Sequence, residues 1–405
     1  MPSSNETLAE VIQLVQAKLV TGPRKGVKAN LTNAKIILEL DSRWVGVIAW
    51  DEFQGCIVKL KSAPCGGGVG AWTDIDTVRV TDWISVHYKL DILKGIVVDA
   101  IRLVGDRHII SPMADWLRGL KWDGVKRIDR LFVDYFGAED NVYICEVGKN
   151  LMIGAINRVL TPGVALHEVV ILEGKQGAGK SRGIKVLFGK ELFSDTPLDV
   201  GNKDAYLAMR GKWCVELGEL SSMSKTDANA MKVFVSSPTD RFRVPYGREP
   251  EDMPRRCVFI GTTNDSEYLQ DSTGNRRWLP VEVGIVLWDA IERDRTQLWA
   301  EAFERAASGE DYWLTPAAAS HAFKERGRRH SEDPWQPTIE EWLERQQEPP
   351  TSTAILEGAI GKSPKDITRA DQSRIGRIMQ ALGWAPRQAS TGKRAYHKVN
   401  NGVGG

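Results

Sequence analysis

Eight residues, Gly174-Lys175-Gln176-Gly177-Ala178-Gly179-Lys180-Ser181, fit the pattern G-x-x-x-x-G-K-[ST] and directly follow the apolar run Val169-Val170-Ile171-Leu172. The run reads as a buried strand and Ile184 to Phe188 as helix-compatible, which is the strand, loop and helix setting in which this pattern holds phosphates. Its glycines let backbone N–H groups turn inward around a β-phosphate. Gly174, Gln176, Gly177, Ala178 and Gly179 are therefore read as the cradle, Lys180 as the reach to the β and γ oxygens, and Ser181 as a hydroxyl ligand for Mg2+. The expectation is an α/β chain with a P-loop core that takes ATP and Mg2+.

Splitting a γ-phosphate needs metal, a polarised water and positive charge at the transition state. Glu216 ends the apolar run Trp213-Cys214-Val215, where a Walker B acid would hold Mg2+ together with Ser181, and Glu219 follows three residues on. Which glutamate serves as base is left open. Asn264 closes the run Phe259-Ile260-Gly261-Thr262-Thr263 and reads as a γ-phosphate sensor or as a plain turn residue. Arg276 and Arg277 stand side by side, and either can be an arginine finger, with paired surface arginines as the other reading.

The stretch from Asp240 to Arg256 alternates as a hairpin does and carries five arginines and two aromatic residues. Arg243, Tyr246, Arg248 and Arg255 are its offered contacts to single-stranded DNA, basic groups following phosphates and an aromatic ring stacking on a base. The acids Asp240, Glu249, Glu251 and Asp252 fit equally a structural hairpin salt-bridged to a neighbouring subunit.

A chain of 405 residues suits two or three domains. Residues 1–110 read as a small mixed α/β domain, with a helical stretch from Leu8 to Leu19 and apolar runs Val45–Ala49 and Cys56–Leu60. Residues 111–163 read as a helical collar, 164–345 as the ATPase core, and 346–405 as a linker (Glu348 to Thr353) and a basic module. From Gly361 on there are nine basic residues against two acids. Asp371 to Leu382 reads as a capped helix with one apolar face, followed by a turn flanked by Lys393 and Arg394, so the module resembles a winged helix on duplex DNA; a solvated charged tail is the alternative. Five cysteines without a C-x-x-C pair argue for reduced thiols in a cytoplasmic protein, and no apolar run approaches membrane-spanning length. Net charge is only +1, so any nucleic-acid surface must be a local patch.

From about Trp116 to Gly309 the chain resembles the virulence-associated E family, replication proteins of phages and pathogenicity islands related to superfamily 3 helicases. The resemblance rests on Leu120-Lys121-Trp122-Asp123-Gly124-Val125 with Arg127, on Glu173 to Ser181, on Trp213 to Leu220 and on Arg243 to Gly247. It continues through Gly261 to Asn264, Leu269-Gln270-Asp271 with Gly274 to Arg277, and Leu298-Trp299-Ala300-Glu301-Ala302. It implies an AAA+-like core, a homo-oligomeric, hexameric ring, and ATP hydrolysis coupled to movement on DNA. It further implies that Arg276 or Arg277 acts on a neighbour's nucleotide and that the Tyr246 to Arg255 region faces a pore. Two other readings stay open: an ATP-switched initiator or loader that separates no strands, and a small-molecule kinase of the P-loop type.

Overall fold

The computed structural model describes residues 8–23, 26–200, 202–218, 225–243, 249–266, 268–269, 275–329, 333–388 and 394–398. The N-terminal part packs helices α1 (Leu8–Gln16), α2 (Leu31–Leu40), α3 (Asp74–Tyr88) and α4 (Lys94–Asp106) with a sheet of order β3-β2-β1-β4. Its strands are β1 (Ile48–Asp51), β2 (Cys56–Lys59), β3 (Gly70–Ala71) and β4 (Ile109–Ile110). The β1–β2 turn forms because the Asp51 carboxylate accepts the N–H groups of Phe53 (2.9 Å) and Gln54 (3.1 Å). Phe53, at its tip, is buried in the core of the next unit.

That unit contains α5 (Pro112–Gly119), α6 (Val142–Leu160), β5 (Val169–Glu173), α7 (Lys180–Phe188), β6 (Phe193–Ser194), α8 (Lys203–Ala208), β7 (Cys214–Leu217) and α9 (Lys225–Ser236). It continues with β8 (Thr239–Phe242), β9 (Glu251–Pro254), β10 (Val258–Thr263), β11 (Trp278–Glu282), α10 (Trp288–Ala307) and α11 (Pro316–Arg328). Five strands form one parallel sheet of order β11-β5-β10-β7-β6. Side chains alternate between its faces. Val170, Leu172, Ile260 and Leu279 pack under α5, α6, α7 and α10, whereas Val169, Ile171, Val215 and Phe259 pack with α8 and α9 on the other face. Both faces are covered, which is why these strands read as unbroken apolar runs.

The residues read as a collar over 111–163 form no core of their own. Leu117, Ile128, Phe132, Val147 and Ile153 lie in the same core as β5 and α7. The motifs at 120–127 and 298–302 turn out to be one structural piece. Glu301, fully buried in α10, accepts the N–H groups of Arg127 (2.5 Å) and Ile128 (3.0 Å), and Trp299 lies against Trp213 with ring centroids 4.0 Å apart and the rings tilted by 34°. Both indoles are satisfied, Trp299 by the Leu187 carbonyl and Trp213 by that of Ala155.

The C-terminal unit begins earlier than the sequence suggested. Helix α12 (Gln336–Leu343) belongs to it, packing Ile339 and Leu343 with α13 (Ser352–Gly358) and α14 (Arg369–Ala381), so the boundary near 345 is corrected to the region of Asp333. Strands β12 (Trp384–Gln388) and β13 (Arg394–Lys398) pair antiparallel behind them. Nor is Glu348 to Thr353 a free linker: Pro350 is buried, its carbonyl accepts the Tyr396 N–H (2.8 Å), and Thr351 caps α13. Helix α14 is capped by Thr368, not Asp371. Asp371 is the third helical residue and returns a bond to the Thr368 N–H, a reciprocal capping box.

Candidate functional site

The loop between β5 and α7 is shaped by glycine. Gly179, with φ +91°, caps α7, and a Cβ on Gly174 would stand 2.7 Å from the Val283 carbonyl oxygen, so neither position takes a side chain without movement. The loop is fastened from below where the Val286 N–H donates to Ala178 O (3.0 Å). Lys180 opens α7 with its side chain largely buried. Its ammonium donates to the carbonyls of Gly174 (2.6 Å) and Lys175 (3.2 Å) and to Asn264 Oδ1 (2.9 Å). Burial lowers the Lys180 pKa, and nearby Glu216 pulls the other way.

Strand register explains why these residues meet. Glu216 pairs with Ile260, and Thr262 and Asn264 share the parity of Ile260, so all three side chains point to the face covered by α7. Glu216 Oε1 accepts the hydroxyls of Ser181 and Thr262, each at 2.6 Å. Its Oε2 is buried without a partner. A buried carboxylate oxygen left free beside a hydroxyl is a donor set that suits a hard divalent cation. Among the described residues no three His, Cys, Asp or Glu side chains gather into a metal cage. A cavity of about 410 Å3 is lined by Gln176 to Arg182, Gly218 and Thr262 to Asp265. Glu219 lies outside the described residues.

Sequence reading missed a brace behind the loop. Glu173, the last residue of β5, accepts both Nε (2.9 Å to each oxygen) and Nη2 (2.8 Å) of Arg329 from the end of α11, and the Tyr268 hydroxyl (2.6 Å). Burial raises the Glu173 pKa, with Arg329 and Tyr268 offsetting it in part. Thr262 was missed too, although the alternation that aims Asn264 at the site aims Thr262 there as well.

Arg276 and Arg277 lie elsewhere. They occupy a 3-10 turn leading into β11, which runs parallel to β5 with Trp278 opposite Val169. They therefore flank the end of the sheet opposite the loop, about 16 Å away over the five residues of β5. Arg276 is exposed, and Arg277 donates to Ser236 Oγ.

The hairpin exists as β8 and β9, with Asp240 opposite Met253. Arg243 is exposed at the end of β8, and Tyr246 and Arg248 fall outside the described residues. Arg255 is corrected. Its side chain is 1% exposed, clamps Asp240 through Nε (2.8 Å) and Nη2 (2.5 Å), and lies over the Phe234 ring, so it anchors the hairpin base and cannot touch DNA. Arg394 is exposed at the start of β13, and Lys393 lies outside the described residues. No described helix is long and apolar enough to cross a membrane.

A family model described as the virulence-associated protein E-like domain matches residues 117–332, just over half of the chain. Among solved structures, the A form apo structure of the NrS-1 C terminal region is similar at 15% identity and a TM-score of 0.41, covering 70% of this chain and 78% of that one. A second A form apo structure, of NrS-1 residues 305–718, gives 13% identity and a TM-score of 0.43 over the same shares. No curated protein matches the sequence.

Proposed function

Given that the chain belongs to the virulence-associated protein E-like family, we propose that it is an ATP-dependent DNA helicase or translocase of phage or prophage replication, built on an AAA+-like core of the superfamily 3 kind. The observation that carries this reading is the meeting of the Ser181 and Thr262 hydroxyls on Oε1 of Glu216, whose Oε2 is buried and free, beside the Lys180–Asn264 contact. Five parallel strands with the loop strand flanked by the Asn264 strand also support it.

In this reading the Gly174–Gly179 backbone and Lys180 hold the β and γ phosphates, and Ser181 and Glu216 hold Mg2+, which when bound neutralises charge on the phosphate oxygens. Lys180 would exchange its loop carbonyls for phosphate oxygens. Asn264 then orients the γ-phosphate or the attacking water. Glu216 is fixed by two hydroxyls in a metal-holding position, which leaves the base role to Glu219. The far placement of Arg276 and Arg277 supports a ring in which a guanidinium reaches a neighbour's site, and Arg276 is the freer of the two. Arg243, with Tyr246 and Arg248, would contact single-stranded DNA in the ring, and the C-terminal unit would meet duplex.

A forked DNA substrate tests this. ATP-dependent strand release that is abolished in Lys180→Ala supports a helicase. ATP hydrolysis with fork binding but no release points to an initiator or loader, and absence of hydrolysis in Mg2+ with single strands present refutes both.

A further inference from the structure

We propose that α14 enters the major groove and reads base edges, making the C-terminal unit a sequence-selective reader of duplex DNA and not a general phosphate clamp. This rests on the proposal that the unit meets duplex. Arg369, Ser373, Arg377 and Gln380, spaced by four, four and three residues, form one exposed stripe along α14, with Gln372 exposed beside them. The opposite face is fixed by Ile375, Ile378 and Met379, all within the unit's core.

A merely solvated helix face mixes charges of both signs, with acid–base pairs along it. This one carries no free acid. Asp371 is engaged by Lys362 (2.5 Å) and by Thr368, and Arg374, the one basic residue of α14 turned aside, is held by Asp333 at 2.5 to 3.0 Å. Of the unit's exposed acids, Glu340, Glu341, Glu344, Glu348 and Glu357 lie on or just after α12 or on α13, and Asp366 stands beside Lys365 in the turn before α14. Around the stripe, Lys365 before the helix and Arg387, Arg394 and Lys398 on the hairpin are exposed and make no ion pair among the described residues. That is a division of labour: flanking cations for phosphates, and a central stripe of arginine and glutamine, the side chains that bond guanine and adenine edges in bidentate fashion. With 13 residues α14 is about 20 Å long, and a helix fits the groove's width of about 12 Å.

The full-length chain should be presented with a duplex pool randomised at its centre, without nucleotide, and bound molecules sequenced. A defined sequence is expected to enrich. Arg377→Ala with Gln380→Ala should weaken binding to that sequence about 10- to 100-fold while changing affinity for unselected duplex less than about threefold. Arg387→Ala with Lys398→Ala should instead weaken both duplexes alike and flatten the salt dependence. Unchanged ATP turnover and thermal melting would show that the variants fold. Duplex binding without any enriched sequence, or equal losses on both duplexes in the Arg377/Gln380 variant, overturns the reader while leaving duplex binding intact. No duplex binding at all overturns the reader and the unit's proposed partner together, and leaves the ATPase reading standing on its own assay.

Discussion

Replacing Arg329 with methionine should loosen the strand that carries the phosphate loop, and the loss should depend on pH. Glu173 has a side chain 7% exposed and, among the described residues, would keep only the Tyr268 hydroxyl as donor. Stranding one member of a buried pair costs about 3–5 kcal/mol. A carboxylate so placed escapes by taking a proton, and the cost of doing so grows by about 1.4 kcal/mol for each pH unit above its ordinary pKa of 4.5. The charge penalty is thus capped at about 3.4 kcal/mol at pH 7 and at under about 1 kcal/mol at pH 5. The sign follows from proton binding: the variant's folded state holds a proton that the unfolded chain releases, so stability falls as pH rises. Hydrogen exchange of the Val169–Glu173 amides, corrected for intrinsic rates, reads this locally in a chain with several cores. Protection should drop about 300-fold at pH 7 and about 3-fold at pH 5. Adding Glu173→Gln should restore most of it and remove the pH dependence. Equal losses at both pH values, or a double variant as weak as the single one, would refute the buried-charge explanation. ATP affinity should follow the same pattern, because Glu173 adjoins Gly174.

Two further outcomes are expected. Mixing Arg276→Ala subunits with Lys180→Ala subunits should restore part of the ATP turnover that each lacks alone, since mixed rings contain sites with an intact loop facing an intact arginine; no rescue with Arg276→Ala or Arg277→Ala would remove the trans-acting role. Burial pushes the Glu168 carboxyl up to about 7, with Arg326 offsetting it in part, so its folded form keeps a proton that the unfolded chain loses near 4.5. Stability is then lost as pH rises between those values, and Glu168→Gln should gain about 2 kcal/mol at pH 8 and nothing at pH 4, measured by urea unfolding.

What the residues disclosed, and what they hid, divides by the range of the interaction. The loop, its Lys180 and Ser181, and Glu216 at a strand end were readable because each is fixed by neighbours in sequence and by period-two alternation. Arg255 was not. Its type and setting match Arg243, and only the pairing of β8 with β9, which brings Asp240 beneath it, decides that one arginine is an anchor and the other is exposed. The same holds for Arg329, 156 residues from Glu173, and for Glu301, which explains a motif 174 residues upstream. In the C-terminal unit nine basic residues counted as one patch, yet Lys362 and Arg374 are spent on Asp371 and Asp333. A charge becomes a surface only after its partners are known, and partners are set by topology. That is why the paired arginines at 276 and 277, identical by sequence, separate into one held by Ser236 and one exposed. It is also why only strand direction, and not their place in the sequence, puts both at the end of the sheet opposite the loop.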